Sequence, residues 1–212
     1  MKPSNTTLDA ATVKRCSPAS IFTEVVSYLA GRSEFSTAYT PYQPEISQGT
    51  LQYIFEYQSM MASLTGLDIS NASMYDATTA AAEAMMMCVA AARKRRRVLV
   101  SETLLPNVRA VLDTYARYHG VEIDTIAETP EGVTSLEAMT DLLAKGDVAG
   151  VILPQPNRHG IVEDLTGFAE AIHGAKALMV MMCPASTLAV LKTPGEWGAD
   201  IAVGDGQSLG IP

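Results

Sequence analysis

The chain has 212 residues, 48% hydrophobic and 18% charged, with a formal net charge of -8. That is a globular balance, sufficient for one packed domain or one and a half, and it argues against a nucleic-acid binder, which needs clustered positive charge. The three cysteines, Cys16, Cys88 and Cys183, are too far apart for a metal motif or a disulfide framework, so a reducing, cytoplasmic setting fits best. The opening MKPSNTTLDA lacks the apolar core of a signal peptide, and the most apolar stretch, residues 177–183, is far too short to cross a bilayer.

Residues 1–20 are polar and weakly patterned and read as a mobile lead-in. Ile21, Val25, Val26 and Leu29 have helical spacing and Gly31 is a stop signal. Residues 31–49 are rich in Tyr, Thr, Gln, Pro and Glu without a helix or strand period, which predicts a long, specified loop. Ser47 is positioned to cap the next helix, which carries Leu51, Ile54, Phe55, Met61 and Leu64 on one face and ends at Gly66. A short strand is expected over residues 72–75. Asp76 then caps a helix rich in Ala and Met that runs to about Arg93.

Beyond it the chain alternates. Strands are expected over residues 98–101, 121–126, 148–153, 177–182 and 200–203. Helices are expected from Pro106 to His119 and over residues 135–145 and 163–174. Largely apolar strands separated by helices predict a doubly wound, mostly parallel α/β sheet covered on both faces. Ligands of such sheets lie outside the carboxyl ends of the strands. Attention therefore falls on the loops that follow them, 76–79, 102–106, 155–160, 183–187 and 204–210.

Several residues in these places have a structural reading beside a chemical one. Asp76 is first an N-cap and only second an anion-facing group, because a carboxylate repels phosphate. Thr78 and Thr79 could donate hydroxyls to an anion or simply fill a first turn. Arg158 and His159 follow a buried strand, where Arg158 could bind a carboxylate, although exposed loop residues without partners are the plainer reading. His119 and His173 sit at helix ends and have no ligand spacing, so no metal site is expected. The run from Arg93 to Arg97 reads as a solvated helix end, with a partner-facing patch as the alternative. The methionines at 85–87 and 181–182 read as adaptable core filler, and Trp197 as a cover for a helix end or the sheet. Gly204, Asp205 and Gly206 do not make a dinucleotide fingerprint, since the third glycine would fall at Leu209.

Three runs carry a resemblance to a known family. SEFSTAYTPYQPEISQG at 33–49, LTGLDISNASMYDATTAAAEA at 64–84 and PGEWGADIAVGDGQSLGIP at 194–212 resemble the glycine decarboxylase P-protein family. Within it they are nearest to subunit 1 of the two-subunit glycine dehydrogenase (decarboxylating). The resemblance implies the large-domain fold of type I pyridoxal-phosphate enzymes. It also implies a part in decarboxylating glycine and passing the aminomethyl group to the lipoyl arm of the H-protein. Family subunits are about twice as long, so a chain truncated at both ends is expected: residues 21–212 are part of the large domain and the small C-terminal domain is absent. The segment TLDAATVKRCSPAS at 7–20 is expected to have no counterpart in the family's entry segment.

The resemblance also locates four cofactor handles. The Schiff-base lysine is expected where Gln207 stands, an amide that cannot form an imine. The carboxylate for the pyridinium nitrogen is expected at Cys183, and the stacking His at Leu105. The phosphate loop is MYDATTA, with Ala77 where the family has glycine, so Asp76, Ala77 and Thr78 form a vestigial cup. The chain is therefore expected to have no catalytic residue and to bind no cofactor alone. Pyridoxal phosphate is expected on the partner, glycine dehydrogenase subunit 2. Tyr39, Thr40, Tyr42, Gln43, Glu45, Ser47 and Gln48 would be lent to the partner's active site, unless they only cap helices and tie the loop down. The alternative function is a degenerate fold with a scaffold or interaction role.

Overall fold

A computed structural model describes residues 18–36 and 39–210, with side chains from Glu24 onward. Of the lead-in expected over residues 1–20, residues 1–17, with Cys16, lie outside the described residues. The first helix, α1 (Pro18–Ala30), begins within the segment expected to be mobile and stops before Gly31. A single helical turn, α2 (Ser33–Ser36), and a 3-10 turn (Pro44–Ile46) interrupt the expected loop. They are followed by α3 (Gln48–Thr65) and α4 (Ala77–Ala91).

Five strands then alternate with three helices: β1 (Arg97–Ser101), α5 (Pro106–His119), β2 (Glu122–Ile126), α6 (Leu136–Ala144), β3 (Val148–Pro154), α7 (Phe168–Gly174), β4 (Leu178–Met182) and β5 (Ile201–Val203). The sheet has the order β2-β1-β3-β4-β5 and every pairing is parallel. The doubly wound α/β architecture read from the sequence is the architecture found. Because β2 lies on one side of β1 and β3, β4 and β5 on the other, the winding reverses at β1, which places a crevice outside the carboxyl ends of β1 and its neighbours.

Alternation along the strands divides the core into two layers. Val98, Val100, Ile152 and Val180 pack with α4 and α5 through Ala81, Met85, Cys88 and Leu112. Leu99, Val151, Leu153, Met179 and Met181 pack with α6 and α7 through Met139, Leu143, Phe168 and Ile172, with Trp197 at the edge of this cluster. The capping signals act where the sequence places them: Gly66 and Gly120 are left-handed C-caps at φ 70 and 65, and Pro106 opens α5. Of the methionines, Met85 and Met181 are fully buried whereas Met87 is exposed. Among the described residues no helix is long and apolar enough to cross a membrane.

Four expectations give way. Residues 72–75 form no strand: Ser73 sits at φ 136, and Met74 and Tyr75 are exposed, so nothing pairs or buries them. The helix expected from residue 163 begins only at Phe168, behind Gly167 at φ 85, because Glu163 is held in a buried network described below. Ser47 stands at the N-cap of α3 but makes no side-chain capping bond. The basic run is not a solvated helix end. The helix stops at Ala91, and Arg95 turns inward to donate to the carbonyls of Val148 at 2.6 Å, Ala175 at 3.2 Å and Lys176 at 2.6 Å. Arg96 donates to the carbonyls of Gly120 and His119, and Arg97 pairs with Asp124 and Asp147, each at 3.4 Å. The run therefore fastens the amino edge of the sheet by satisfying carbonyls at the ends of α5 and α7.

The closest approach of helix to sheet is α4 over β3. A Cβ at Gly150 would lie 2.5 Å from Cys88 Sγ and 2.7 Å from its Cβ. Burial, with a smaller contribution from Asp200, pushes the Cys88 thiol up to about 12, so it packs as a neutral apolar group. A Gly150→Ala variant is expected to lose about 1–3 kcal/mol through overpacking, read as a lower urea midpoint with an unchanged slope.

Candidate functional site

The loops that follow parallel strands gather at the carboxyl edge of the sheet, together with the start of α4. At that start Asp76 forms a complete capping box. Its Oδ1 accepts from the Thr79 amide at 2.7 Å, from Thr79 Oγ1 at 2.8 Å and from Thr78 Oγ1 at 2.8 Å, and the Asp76 amide donates to Thr79 Oγ1. These bonds hold its carboxyl below the usual aspartate range, the Thr79 amide first among them. A carboxylate thus already satisfies the helix start where a phosphate would bind, and the hydroxyls of Thr78 and Thr79 are turned to it. Ala77 is buried behind them.

Leu105 lies at the N-cap of α5, 47% exposed and without a capping group. Cys183, just past β4, is 4% exposed, and burial pushes its thiol up to about 11, so it carries no charge at neutral pH. The Cys183 amide donates to the Val203 carbonyl at 2.9 Å. Gly204 passes so close to the Cys183 carbonyl that a Cβ there would overlap it. Gln207 opens an exposed 3-10 turn (Gln207–Leu209), and its amide donates to Asp205 Oδ1. The Ser186 amide donates to Ser208 Oγ, tying this turn to the one after β4 (Ala185–Ala189). From residue 177 to the end the only lysine in the sequence is Lys192. Its Nζ sits 3.7 Å from the centre of the Trp197 ring, a cation–π contact.

Sequence reasoning missed the main polar feature of this edge, a buried carboxylate. Glu163 is 2% exposed. Its side chain accepts from Thr103 Oγ1 at 3.0 Å, from Asn157 Nδ2 at 2.7 Å and from the Thr134 amide at 2.9 Å. Its backbone exchanges two bonds with the Gln155 side chain, at 2.7 and 2.9 Å. Ser101 Oγ extends the cluster to Thr103 and Thr134. Asn157 also donates to the Gly132 carbonyl and accepts from the amides of His159 and Ile161. One carboxylate therefore ties together the loops after β1, β2 and β3. The only advance signal was an excess of polar residues in QPNRHGIVED beside a buried strand.

His159 and Arg158 are not the unpartnered loop residues that the plainer reading expects. Both meet Glu128, His159 Nε2 at 3.0 Å and Arg158 Nη2 at 3.1 Å. The bond from His159 is the first cause holding the Glu128 carboxyl below its usual range. His173 meets Asp200 at 2.9 Å, and His119 stacks on Tyr115. Among the described residues no group of His, Cys, Asp and Glu is arranged to hold a metal ion.

The residues expected to face a partner are exposed or nearly so. Tyr39 and Tyr42 are 79% and 77% exposed, their rings 6.1 Å apart. Thr40, Gln43, Glu45 and Gln48 are exposed and Ser47 is half-buried. Of these, Gln48 bonds back to the Glu45 carbonyl at 3.4 Å. The loop leads into α3, which has no buried residue and exposes Leu51, Tyr53, Phe55, Tyr57 and Met60. The helix is tied down near its end, where the Gly195 amide donates to the Thr65 carbonyl and Gln58 donates to the Ser70 carbonyl at 2.6 Å.

This sheet, its flanking helices and its loop-built edge define the large-domain fold of the type I pyridoxal-phosphate enzymes. Residues 10–212 match the family described as the glycine cleavage system P-protein, and the chain belongs to that family; the match takes in all but the first three residues of the segment 7–20 that was expected to have no counterpart. It is 53% identical over 190 residues to the probable glycine dehydrogenase (decarboxylating) subunit 1 of Moorella thermoacetica, covering 89% of this chain and 42% of that protein. The protein of the same description from Geotalea daltonii is 50% identical over 188 residues, again with 89% and 42% covered. A crystal structure of glycine decarboxylase (P-protein) of the glycine cleavage system, in inhibitor-bound form, superposes with a TM-score of 0.82 at 51% identity, over 89% of this chain and 41% of that one. A methionine gamma lyase from Micromonospora echinospora, at 21% identity and TM-score 0.54, shares the fold alone. The chain spans about two fifths of the length of these curated relatives.

Two predictions follow from this geometry. Glu163→Gln, which turns an amide nitrogen toward the hydroxyl and amide donors, is expected to cost about 1–3 kcal/mol in urea unfolding. Asp76→Ala is expected to lower Tm at neutral pH. The Asp76 carboxyl is held below its ordinary value, so its stabilisation is present above the ordinary aspartate range and is lost as pH falls through the folded-state value. The gap in Tm between wild type and variant should therefore close in strong acid.

Proposed function

We propose that this chain acts as the subunit of the glycine cleavage P-protein that lacks the Schiff-base lysine, supporting glycine decarboxylation and aminomethyl transfer to the lipoyl H-protein without performing the chemistry itself. The observation that carries the reading is the missing amine. Gln207 occupies the turn after β5, and Lys192, the one lysine in that part of the sequence, is engaged by the Trp197 ring. The residues at the edge do not fit pyridoxal phosphate. Asp76 satisfies the helix start, Cys183 is a buried neutral thiol, and Leu105 offers no aromatic face. The cofactor and its lysine belong on glycine dehydrogenase subunit 2, and the assembly is a cytoplasmic heteromer.

The role left to this chain is to complete the partner's site. A helix with five large exposed apolar side chains and no buried one, joined to a loop bearing Tyr39 and Tyr42, has the composition of an uncovered interface. Tyr39, Thr40, Tyr42, Gln43, Glu45, Ser47 and Gln48 are the groups it would lend. The tied loops after β4 and β5 equally favour a second reading, a scaffold that binds the partner without raising its activity.

The purified chain is expected to show no pyridoxal absorbance and no borohydride-trapped adduct. Mixed with subunit 2, it should co-elute in size-exclusion chromatography and support glycine-dependent exchange. Phe55→Asp, on the exposed face of α3, should weaken the complex about tenfold or more while leaving the free chain's unfolding curve in place. A trapped covalent adduct on the isolated chain overturns the reading. A complex with no gain in exchange selects the scaffold.

A further inference from the structure

Twelve arginines and lysines fall among the described residues, and their partners divide them in two. Seven are engaged. Arg32, Arg97, Arg109 and Arg158 pair with carboxylates, Arg95 and Arg96 bond backbone carbonyls, and Lys192 rests on Trp197. The other five, Arg93, Lys94, Arg117, Lys145 and Lys176, are exposed, and their side chains make no hydrogen bond or ion pair among the described residues.

All five stand at one edge of the molecule. Arg93 and Lys94 lie in the turn that enters β1, Arg117 in the last turn of α5 before β2, Lys145 at the end of α6 before β3, and Lys176 in the turn before β4. The sheet order β2-β1-β3-β4 therefore sets them in a row across four neighbouring strands. At about 4.8 Å between strands the row is about 14 Å long. The fastening of this edge does not use them, since Arg95 and Arg96 already serve the carbonyls at the ends of α5 and α7. Helix dipoles favour cations on this side, but about half a charge at each helix end leaves much of each cation uncancelled. Nearby carboxylates do not cancel them either. Asp124 and Asp147 are taken by Arg97, and Asp200 by His173 and the Met179 amide, which leaves Glu122 and Asp141 against the five.

The arrangement selects the partner. A small anion needs cations that converge on one point, and a row does not converge. A nucleic acid runs past both ends of so short a strip and meets the rest of a chain that carries -8 overall. An extended polypeptide rises about 3.3 Å per residue, so a segment of about five residues spans the row, and carboxylates along it meet the cations as charge-assisted pairs. We infer that the amino edge of the sheet is a docking strip for a short acidic segment of a partner protein. The strip lies at the opposite end of the strands from the turn after β4 on which α3 rests, so a protein bound there leaves the exposed face of α3 free.

The test is fluorescence anisotropy of a labelled hexaglutamate peptide titrated with the full chain, with hexaglutamine and a single-stranded oligodeoxynucleotide as comparison probes. Hexaglutamate should bind saturably and lose affinity as salt is raised, and hexaglutamine should not bind. Lys94→Glu should weaken hexaglutamate about tenfold. Arg32→Glu, the same change of net charge away from the strip, should leave it within about twofold. Because Lys94 has no partner, its variant should keep the wild-type unfolding curve; should it not, Lys145→Glu is read in its place. No saturable binding of hexaglutamate overturns the inference. So does affinity unchanged in the strip variants, an equal loss in Arg32→Glu, or an oligonucleotide that binds more tightly than the peptide. A wild-type chain that dimerises in sedimentation while Lys94→Glu does not assigns the strip to a second copy, and overturns the inference as well. None of these readouts involves subunit 2 or exchange activity.

Discussion

The constraint on which the functional reading depends is that α3 has no core of its own. An 18-residue helix is held in a globular protein mainly by the apolar face it buries, and this one buries no residue fully. Its hold on the domain is local. Gly66 and Gly195 approach so closely that a Cβ on Gly195 would overlap the Gly66 carbonyl, the Gly195 amide bonds the Thr65 carbonyl, and the nearby turn at Ala185–Ala189 rests against the helix. Large side chains such as Phe55 at 64% exposure and Met60 at 59% would each contribute about 1.5–3 kcal/mol if fully covered. An apolar cover for this face would therefore add several kcal/mol of stabilisation that the described residues do not supply.

The rest of the molecule is fastened at both edges of the sheet, by opposite means. At the amino edge Arg95 and Arg96 donate guanidinium protons to the carbonyls of residues 148, 175, 176, 119 and 120. Positive charge belongs there, beside the negative ends of α5 and α7. At the carboxyl edge the buried Glu163 carboxylate collects donors from three loops. Negative charge belongs on that side, where the helices begin. The two devices leave the loops between β-strands and helices little freedom to rearrange, so the edge presents a fixed surface whatever its chemistry.

Much of this was legible in the sequence, for identifiable reasons. Strands buried on both faces must be continuous apolar runs, so VLV, VAGVIL and LMVMM declared themselves, and Gly66, Gly120, Asp76 and Pro106 mark helix ends through backbone demands that few other residues meet. What failed was whatever depends on a distant partner. A run of five basic residues looks solvated until the carbonyls that receive Arg95, 53 to 81 residues away, are brought beside it. Glu163 reads as the start of a helix until Thr103 and Thr134 arrive from other loops. Met74 and Tyr75 read as a strand because their apolarity is real, but the surface they would pair with is not there. In the candidate site, Leu105, Cys183 and Gln207 do lie just past β1, β4 and β5, in the loops where the resemblance expects cofactor handles. Nothing in the residue order indicated that Lys192 would rest on Trp197.

Catalysis and docking place different demands on a fold, and the proposed function rests on that difference. A Schiff base requires one nitrogen at one position. Replacing it by an amide removes the reaction completely, because no neighbouring donor can substitute for a nucleophile. An interface requires only that a surface of the right shape and apolarity be held still, a demand that many side-chain choices satisfy. Under the function proposed above, the single-atom requirements are the ones unmet: Gln207 has no amine, Cys183 has no charge and Leu105 has no ring face. The collective requirements are met by many residues at once, in the Glu163 network, the arginine contacts and the exposed face of α3. A surface of that kind still constrains a neighbouring active site, since a partner's loops ordered against a rigid face lose freedom before substrate arrives, and that pre-organisation is itself a contribution to rate.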